Sequence, residues 1–125
     1  LLVNILLGNG DAHLKNWSLL YADKTTPRLS PAYDILTTNV YIEDERQFAL
    51  NLGKSKNWYQ VSLTNFQAWA DKSGIPWRVI KPHMDEALDK AKTLWPAALR
   101  DLPMNEGHKV KLVEHWQRLH EDFRF

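Results

Sequence analysis

No cysteine occurs among the 125 residues, so disulfides and thiolate metal sites are excluded, and the composition suits a reducing, cytoplasmic setting. Long apolar runs are missing too. The best candidate, Leu1 to Leu7, is interrupted by Asn4 and lacks a basic flank, so it is too short for a membrane span and a poor signal peptide. Charge of one sign is not in excess: the formal net charge is +1, and Lys and Arg are scattered among acids rather than gathered into a nucleic-acid footprint. Repeats, low-complexity tracts and long linkers are absent. What is present is ordinary globular usage, 44% hydrophobic and 25% charged, over a length that suits one domain (1–125) with a single core. The chain enters an apolar pattern at Leu1 with no Met and no capping residue ahead of it, which reads as a piece cut from a longer protein or one processed to this point.

Periodicity puts Val3, Leu6 and Leu7 on one face of a short helix that Gly8-Asn9-Gly10 stops, because those residues tolerate positive φ. A loop follows from Asn9 to Asn16. Trp17 to Tyr21 then reads as a strand, the stretch from Ala22 to Pro27 has turn chemistry, and Arg28 to Ser30 returns antiparallel until Pro31. This hairpin delivers Ala32-Tyr33-Asp34 beside the Asn9–Asn16 loop. Between Thr37 and Trp58 the pattern is weak, with one strand at Gln47 to Leu52 and a polar loop after it. The remainder, 62–122, reads as a helical cluster. Ser62 or Thr64 caps a helix carrying Phe66, Trp69 and Ala70; Gly74 and Pro76 separate it from a second helix reaching about Leu94. A short segment lies between Pro96 and Pro103, and a last helix spans about Glu106 to Asp122.

The chemistry is concentrated in Gly8-Asn9-Gly10-Asp11-Ala12-His13-Leu14-Lys15-Asn16, where a carboxylate, an imidazole, an ammonium and a carboxamide share one loop. Phosphoryl transfer asks for a base near the acceptor hydroxyl, hard oxygen ligands for Mg²⁺, and positive charge against the developing phosphate charge. Asp11 followed five residues later by Asn16 has the spacing of a kinase catalytic loop, in which the Asp takes the hydroxyl proton and the Asn binds metal. Lys15 stands between them as a phosphate contact. Asp34, brought back by the hairpin, supplies the second metal ligand in the order that chemistry uses.

Two segments, Asn9 to Ser18 and Leu29-Ser30-Pro31-Ala32-Tyr33-Asp34-Ile35-Leu36, together resemble the catalytic loop and metal-binding segment of the HipA-like serine/threonine kinases, toxins of bacterial toxin–antitoxin pairs. The resemblance implies a mainly α, kinase-like C-lobe with a small β-hairpin, its catalytic and metal-binding part at 1–36. It implies Asp11 as proton acceptor, His13, Leu14, Lys15 and Asn16 with Tyr33 and Asp34 at the nucleotide, and Asn16 and Asp34 on Mg²⁺. Its cofactors are then ATP and Mg²⁺, its substrate a protein Ser/Thr hydroxyl, and its partner a DNA-binding antitoxin. The family's N-terminal lobe has no counterpart in this sequence, so the 125 residues alone are expected to be inactive.

Blander readings compete at each position. An Asp after Gly usually just forms a turn, but the spacing to His13, Lys15 and Asn16 favours a base. Asp34 would be an N-cap for a segment starting at Ile35 if the first motif were absent. A zinc role for His13 lacks a second ligand at suitable spacing. His83, His108, His115 and His120 carry no assigned role, and the six Trp read as core or interface anchors. The competing function is a non-catalytic helical interaction module or inactive kinase remnant; a phosphotransferase for small-molecule hydroxyls shares the loop logic.

Overall fold

A computed structural model describes residues 1–125. Helix α1 (Leu2–Leu7) ends at Gly8, whose φ of 62° and ψ of 44° lie in the left-handed region. The Asn9 amide donates back to the Asn4 carbonyl at 2.8 Å, closing a Schellman-type cap that turns the chain sharply into the loop. Strands β1 (Leu19–Leu20) and β2 (Arg28–Leu29) form the expected antiparallel hairpin, in register Leu19 to Leu29 and Leu20 to Arg28. Its turn is held by Asp23, which accepts from the Thr25 and Thr26 amides at 3.0 and 2.7 Å and from the Thr26 hydroxyl at 2.6 Å. Those donors pull the Asp23 carboxyl well below its ordinary range.

The strand read at Gln47 to Leu52 is present as β3 (Gln47–Leu52), but the polar loop expected after it is a tight turn and another strand, β4 (Ser55–Asn57), paired antiparallel to β3 with an irregular register. Helix α2 (Leu63–Lys72) starts at Ser62, whose amide donates to the Asn65 side chain at 3.0 Å. The Asp122 carboxylate accepts the Leu63 amide at 2.8 Å, placing negative charge where the first helical N–H groups lack partners. Helix α3 (Trp77–Asp101) does not stop near Leu94; it runs through Pro96. The physical reason is its apolar stripe: Met84, Leu88, Ala91, Trp95 and Leu99 continue the 3- and 4-residue spacing across the proline and pack on the core. Pro96 is itself exposed, and its cost is the lost bond to the Lys92 carbonyl and the crowding of its ring against it. Helix α4 (Glu106–Arg118) is capped by the Asn105 side chain, which accepts the Gly107 amide at 2.8 Å, and ends before the expected Asp122.

The core joins α1, the β3–β4 hairpin and α4, with Ile5, Leu6, Trp58, Val61, Leu112, Trp116, Leu119 and Phe123 buried in one cluster. Leu2, Asn4, Ile5 and Leu6 are the buried residues of α1, so its inward side is not the Val3, Leu6, Leu7 face that periodicity suggested. Two α4 side chains explain this. Trp116 donates its indole N–H to the Leu6 carbonyl at 2.8 Å, and His115 Nε2 lies 2.8 Å from the Ile5 carbonyl. Trp116 takes a carbonyl that the short helix leaves unpaired, and His115 adds a second contact to the Ile5 carbonyl, which also accepts the Gly8 amide at 3.1 Å; together they tie the end of α1 to α4. No helix is long and apolar enough to cross a membrane.

Candidate active site

The loop after α1 is organised by Asn9, which is 1% exposed. Its Nδ2 donates to Asn4 Oδ1 at 3.0 Å and to the Asp34 carbonyl at 3.4 Å, while its Oδ1 accepts the Asp11 amide at 3.1 Å. One buried carboxamide therefore ties helix α1, the backbone of Asp11 and the backbone of Asp34 together. A tight turn follows, with the His13 amide on the Asp11 carbonyl at 2.7 Å, and residues Leu14–Asn16 close one 3-10 turn.

Asn16 donates its Nδ2 to the Asp11 carbonyl at 3.0 Å. Because a carbonyl can only accept, the amide group must face it, which leaves Asn16 Oδ1 as an acceptor without a hydrogen-bond partner from the chain. The Asp11 carboxylate is about half exposed, with His13 Nε2 at 3.5 Å and Lys15 Nζ at 3.4 Å. Lys15, read as a phosphate contact, thus lies against Asp11 in this structure. Both neighbours are at least half exposed, so these contacts orient more than they stabilise. Leu14 is 71% exposed.

The hairpin returns Tyr33 and Asp34 to this loop. Tyr33 Oη lies 2.7 Å from Ser18 Oγ and donates to the Lys15 carbonyl at 3.0 Å, fastening the segment across the 3-10 turn. With that hydroxyl proton on Lys15, Ser18 donates to Tyr33. Asp34 has a φ of 54°, in the left-handed region that side chains other than Gly, Asn and Asp seldom occupy. Its backbone oxygen is bonded to Asn9, whereas its exposed carboxylate takes no hydrogen bond or ion pair from the chain. The capping alternative fails here: no helix starts at Ile35, and the next 3-10 turn, Thr38–Val40, is preceded by Thr37. Asn16, Tyr33 and Asp34 line one cavity of about 270 Å³, walled also by Asn9, Ser30 and Pro31. No group of three or more His, Asp or Glu side chains could hold a metal ion by itself. An amide oxygen and one carboxylate instead suit a hard cation that takes its remaining oxygens from phosphate and water.

Sequence reading missed Asn9 and Thr38 as site-building residues. Asn9 passed as a turn residue between glycines, and the clue was an asparagine pair, Asn4 and Asn9, at the buried end of an apolar helix. Thr38, whose hydroxyl accepts the Gly10 amide at 2.8 Å, has no local signal because its partner lies 28 residues away.

Helical packing around a small hairpin, with a polar loop and a returning carboxylate at one cavity, defines a class of fold met in known proteins. Residues 1–95 match the HipA-like C-terminal domain, and the chain belongs to that family. It is 40% identical over 104 residues to the Sinorhizobium fredii protein named "Putative kinase Y4dM", covering 83% of this chain and 25% of that protein. It is 22% identical over 116 residues to the Serine/threonine-protein kinase toxin HipA of Shewanella oneidensis, covering 93% of this chain and 27% of that one. The fold matches a chain of the solved complex of the Shewanella oneidensis HipA, HipB toxin–antitoxin system with its operator DNA, at a TM-score of 0.72, 22% identity and coverage of 94% of this chain and 29% of that chain. The chain therefore spans about a quarter of the length of these relatives.

Proposed function

We propose that this domain forms the catalytic part of a longer HipA-like protein kinase that transfers the γ-phosphoryl group of Mg-ATP to a protein Ser or Thr hydroxyl. The observation that carries the reading is a pair of residues lining one cavity, Asn16 and Asp34, whose side-chain oxygens have no partners in the chain, with Asn16 bonded to the backbone of a half-exposed Asp11. Bound Mg-ATP would supply the transferable group and neutralise charge on its phosphates. Asp11 orients the acceptor hydroxyl and takes up its proton as that oxygen attacks. Lys15 and His13 flank the carboxylate, and Lys15 brings positive charge to the place where phosphate charge develops. Asn16 and Asp34 present the hard oxygens that a magnesium ion takes, and His13, Leu14, Lys15 and Tyr33 line the approach to the nucleotide. By kinship with the HipA toxin, the partner is a HipB-like DNA-binding antitoxin and the setting cytoplasmic.

The test uses the full-length protein. Asp11→Asn should abolish phosphoryl transfer while the melting temperature stays within a few degrees; wild-type turnover in that variant ends the assignment. Asn16→Ala and Asp34→Ala should raise the Mg²⁺ concentration needed for half-maximal activity. A non-catalytic interaction module is the second reading, favoured by an open apolar groove of about 700 Å³ along α1, α2 and α3. Calorimetric titration with Mg-ATP separates the two, since a module of that kind takes up no nucleotide.

A further inference from the structure

We propose that Thr38 and Glu45 form a clamp that positions the catalytic loop through the backbone of Gly10, an inference that rests on the kinase reading above. The Thr38 hydroxyl oxygen accepts the Gly10 amide at 2.8 Å and lies 2.6 Å from Glu45 Oε2 and 3.2 Å from the Gly8 carbonyl. A hydroxyl has one proton to give. It goes to the ionised Glu45, the nearer and charged acceptor, because the Gly8 carbonyl already receives the Asn39 amide at 3.2 Å. Donating to a carboxylate makes the Thr38 oxygen a better acceptor, so the Gly10 amide is held by a polarised, two-bond relay.

Glycine at position 10 fits the same device. A Cβ there would collide with the Glu45 carboxylate, so the missing side chain is the space in which Glu45 reaches Thr38. Gly10 has no left-handed φ, which removes the usual conformational reason for a glycine and leaves close approach as the explanation. The next amide, that of Asp11, is held by Asn9 Oδ1 at 3.1 Å. Two consecutive amides just before the Asp11 side chain are thus pinned by groups from two parts of the fold. Glu45 and Thr38 are partly buried and belong to the segment after Asp34, so the clamp ties the base to the far side of the metal-ligand segment. Thr38 touches no reacting atom in this scheme; it is a positioning residue.

The experiment compares full-length wild type, Thr38→Val, Thr38→Ser, Glu45→Ala and the Thr38→Val/Glu45→Ala double variant. It measures kcat, KM for Mg-ATP and amide hydrogen exchange at Gly10. Thr38→Val keeps the shape and removes the hydroxyl; kcat should fall by about ten- to a hundredfold, the range a slightly misplaced catalytic group produces, with KM within about twofold. Thr38→Ser should recover most of that loss, Gly10 should exchange faster in the valine variant alone of the two, and the double variant should be no worse than Thr38→Val, since both act through one relay. Wild-type kcat in Thr38→Val, or additive losses in the double variant, overturns the clamp. Failure of the kinase reading looks different: wild type and Asp11→Asn would then be equally without transfer, which overturns the catalytic role of the clamp together with that reading.

Discussion

Asn9 satisfies three partners at once, and none of them has a substitute within reach of an alanine. Removing its carboxamide leaves the buried Asn4 Oδ1 and the partly buried Asp11 amide without their bonds. An unsatisfied buried polar group costs about 1–3 kcal/mol, so Asn9→Ala should lower the unfolding free energy by about that amount in a denaturant titration and depress phosphoryl transfer as well. Asp34 behaves differently. Its side chain has no structural partner and Asp is among the residues that tolerate a φ of 54°, so Asp34→Gly should leave stability within about 1 kcal/mol of wild type while removing Mg-dependent activity. A thermal melt and a transfer assay on the same preparation check both halves; a loss well beyond the cost of a glycine would mean that the carboxylate has a structural bond in solution.

The junction of α1 with α4 is the element-scale feature on which the loop depends. His115 is 1% exposed and its Nε2 faces the Ile5 carbonyl, so Nε2 carries the proton and Nδ1 accepts from Tyr59 Oη at 3.2 Å. Burial pushes its pKa down to about 4, with the nearby Arg118 guanidinium adding to the effect and the Ile5 carbonyl opposing it. The ordinary value is 6.5, so between pH 6.5 and pH 4 the unfolded chain binds a proton that the folded chain refuses. The contribution is fully present above pH 6.5 and is lost as pH falls, by about 2 kcal/mol between pH 7 and pH 5. His115→Gln keeps a donor for the Ile5 carbonyl without the titration, so its stability should change less over that interval; equal slopes for the two proteins would contradict the assignment.

Elements whose signals are local were legible from sequence. The β1–β2 hairpin announced itself through Asp23, two threonines and Pro27, and α2 through Ser62 and Gly74. Strand β4 was not legible, because Ser55-Lys56-Asn57 has no apolar alternation and forms only by pairing with β3. The full length of α3 was hidden by Pro96, whose local penalty is outweighed by burial of Leu99 and packing of Trp95. That conflict makes a prediction: Pro96→Ala, at an exposed site, should stabilise the protein by about 1–2 kcal/mol in thermal unfolding by restoring the bond to the Lys92 carbonyl. The candidate site divides along the same line. Asp11, His13, Lys15 and Asn16 lie in one nine-residue stretch and could be read together, whereas Asn9, Thr38 and Glu45 acquire their roles only when segments about 30 residues apart meet.

At the scale of the whole molecule, the apolar groove of about 700 Å³ is the feature that 125 residues leave unexplained by their own packing. Leu14, Trp17, Trp69, Ile75 and Val79 all line it with more than a third of their surface in water. Patches of this kind on a folded unit mark a surface that meets something else. Relatives about four times as long have chain to spare for covering it, and the groove borders the candidate site through Ala12, Leu14 and Trp17. Covering the groove with the rest of the longer protein would also bring further groups to the open side of Asp11. Val79, 53% exposed on α3, separates covered from open. Val79→Glu should leave the melting temperature of these 125 residues nearly unchanged, because a solvated glutamate on a helix is tolerated. In the full-length protein the same glutamate should cost 2 kcal/mol or more, on the order of burying an unpaired charge, and reduce phosphoryl transfer with it. Equal tolerance in both would mean that the groove stays open to water and serves a separate partner.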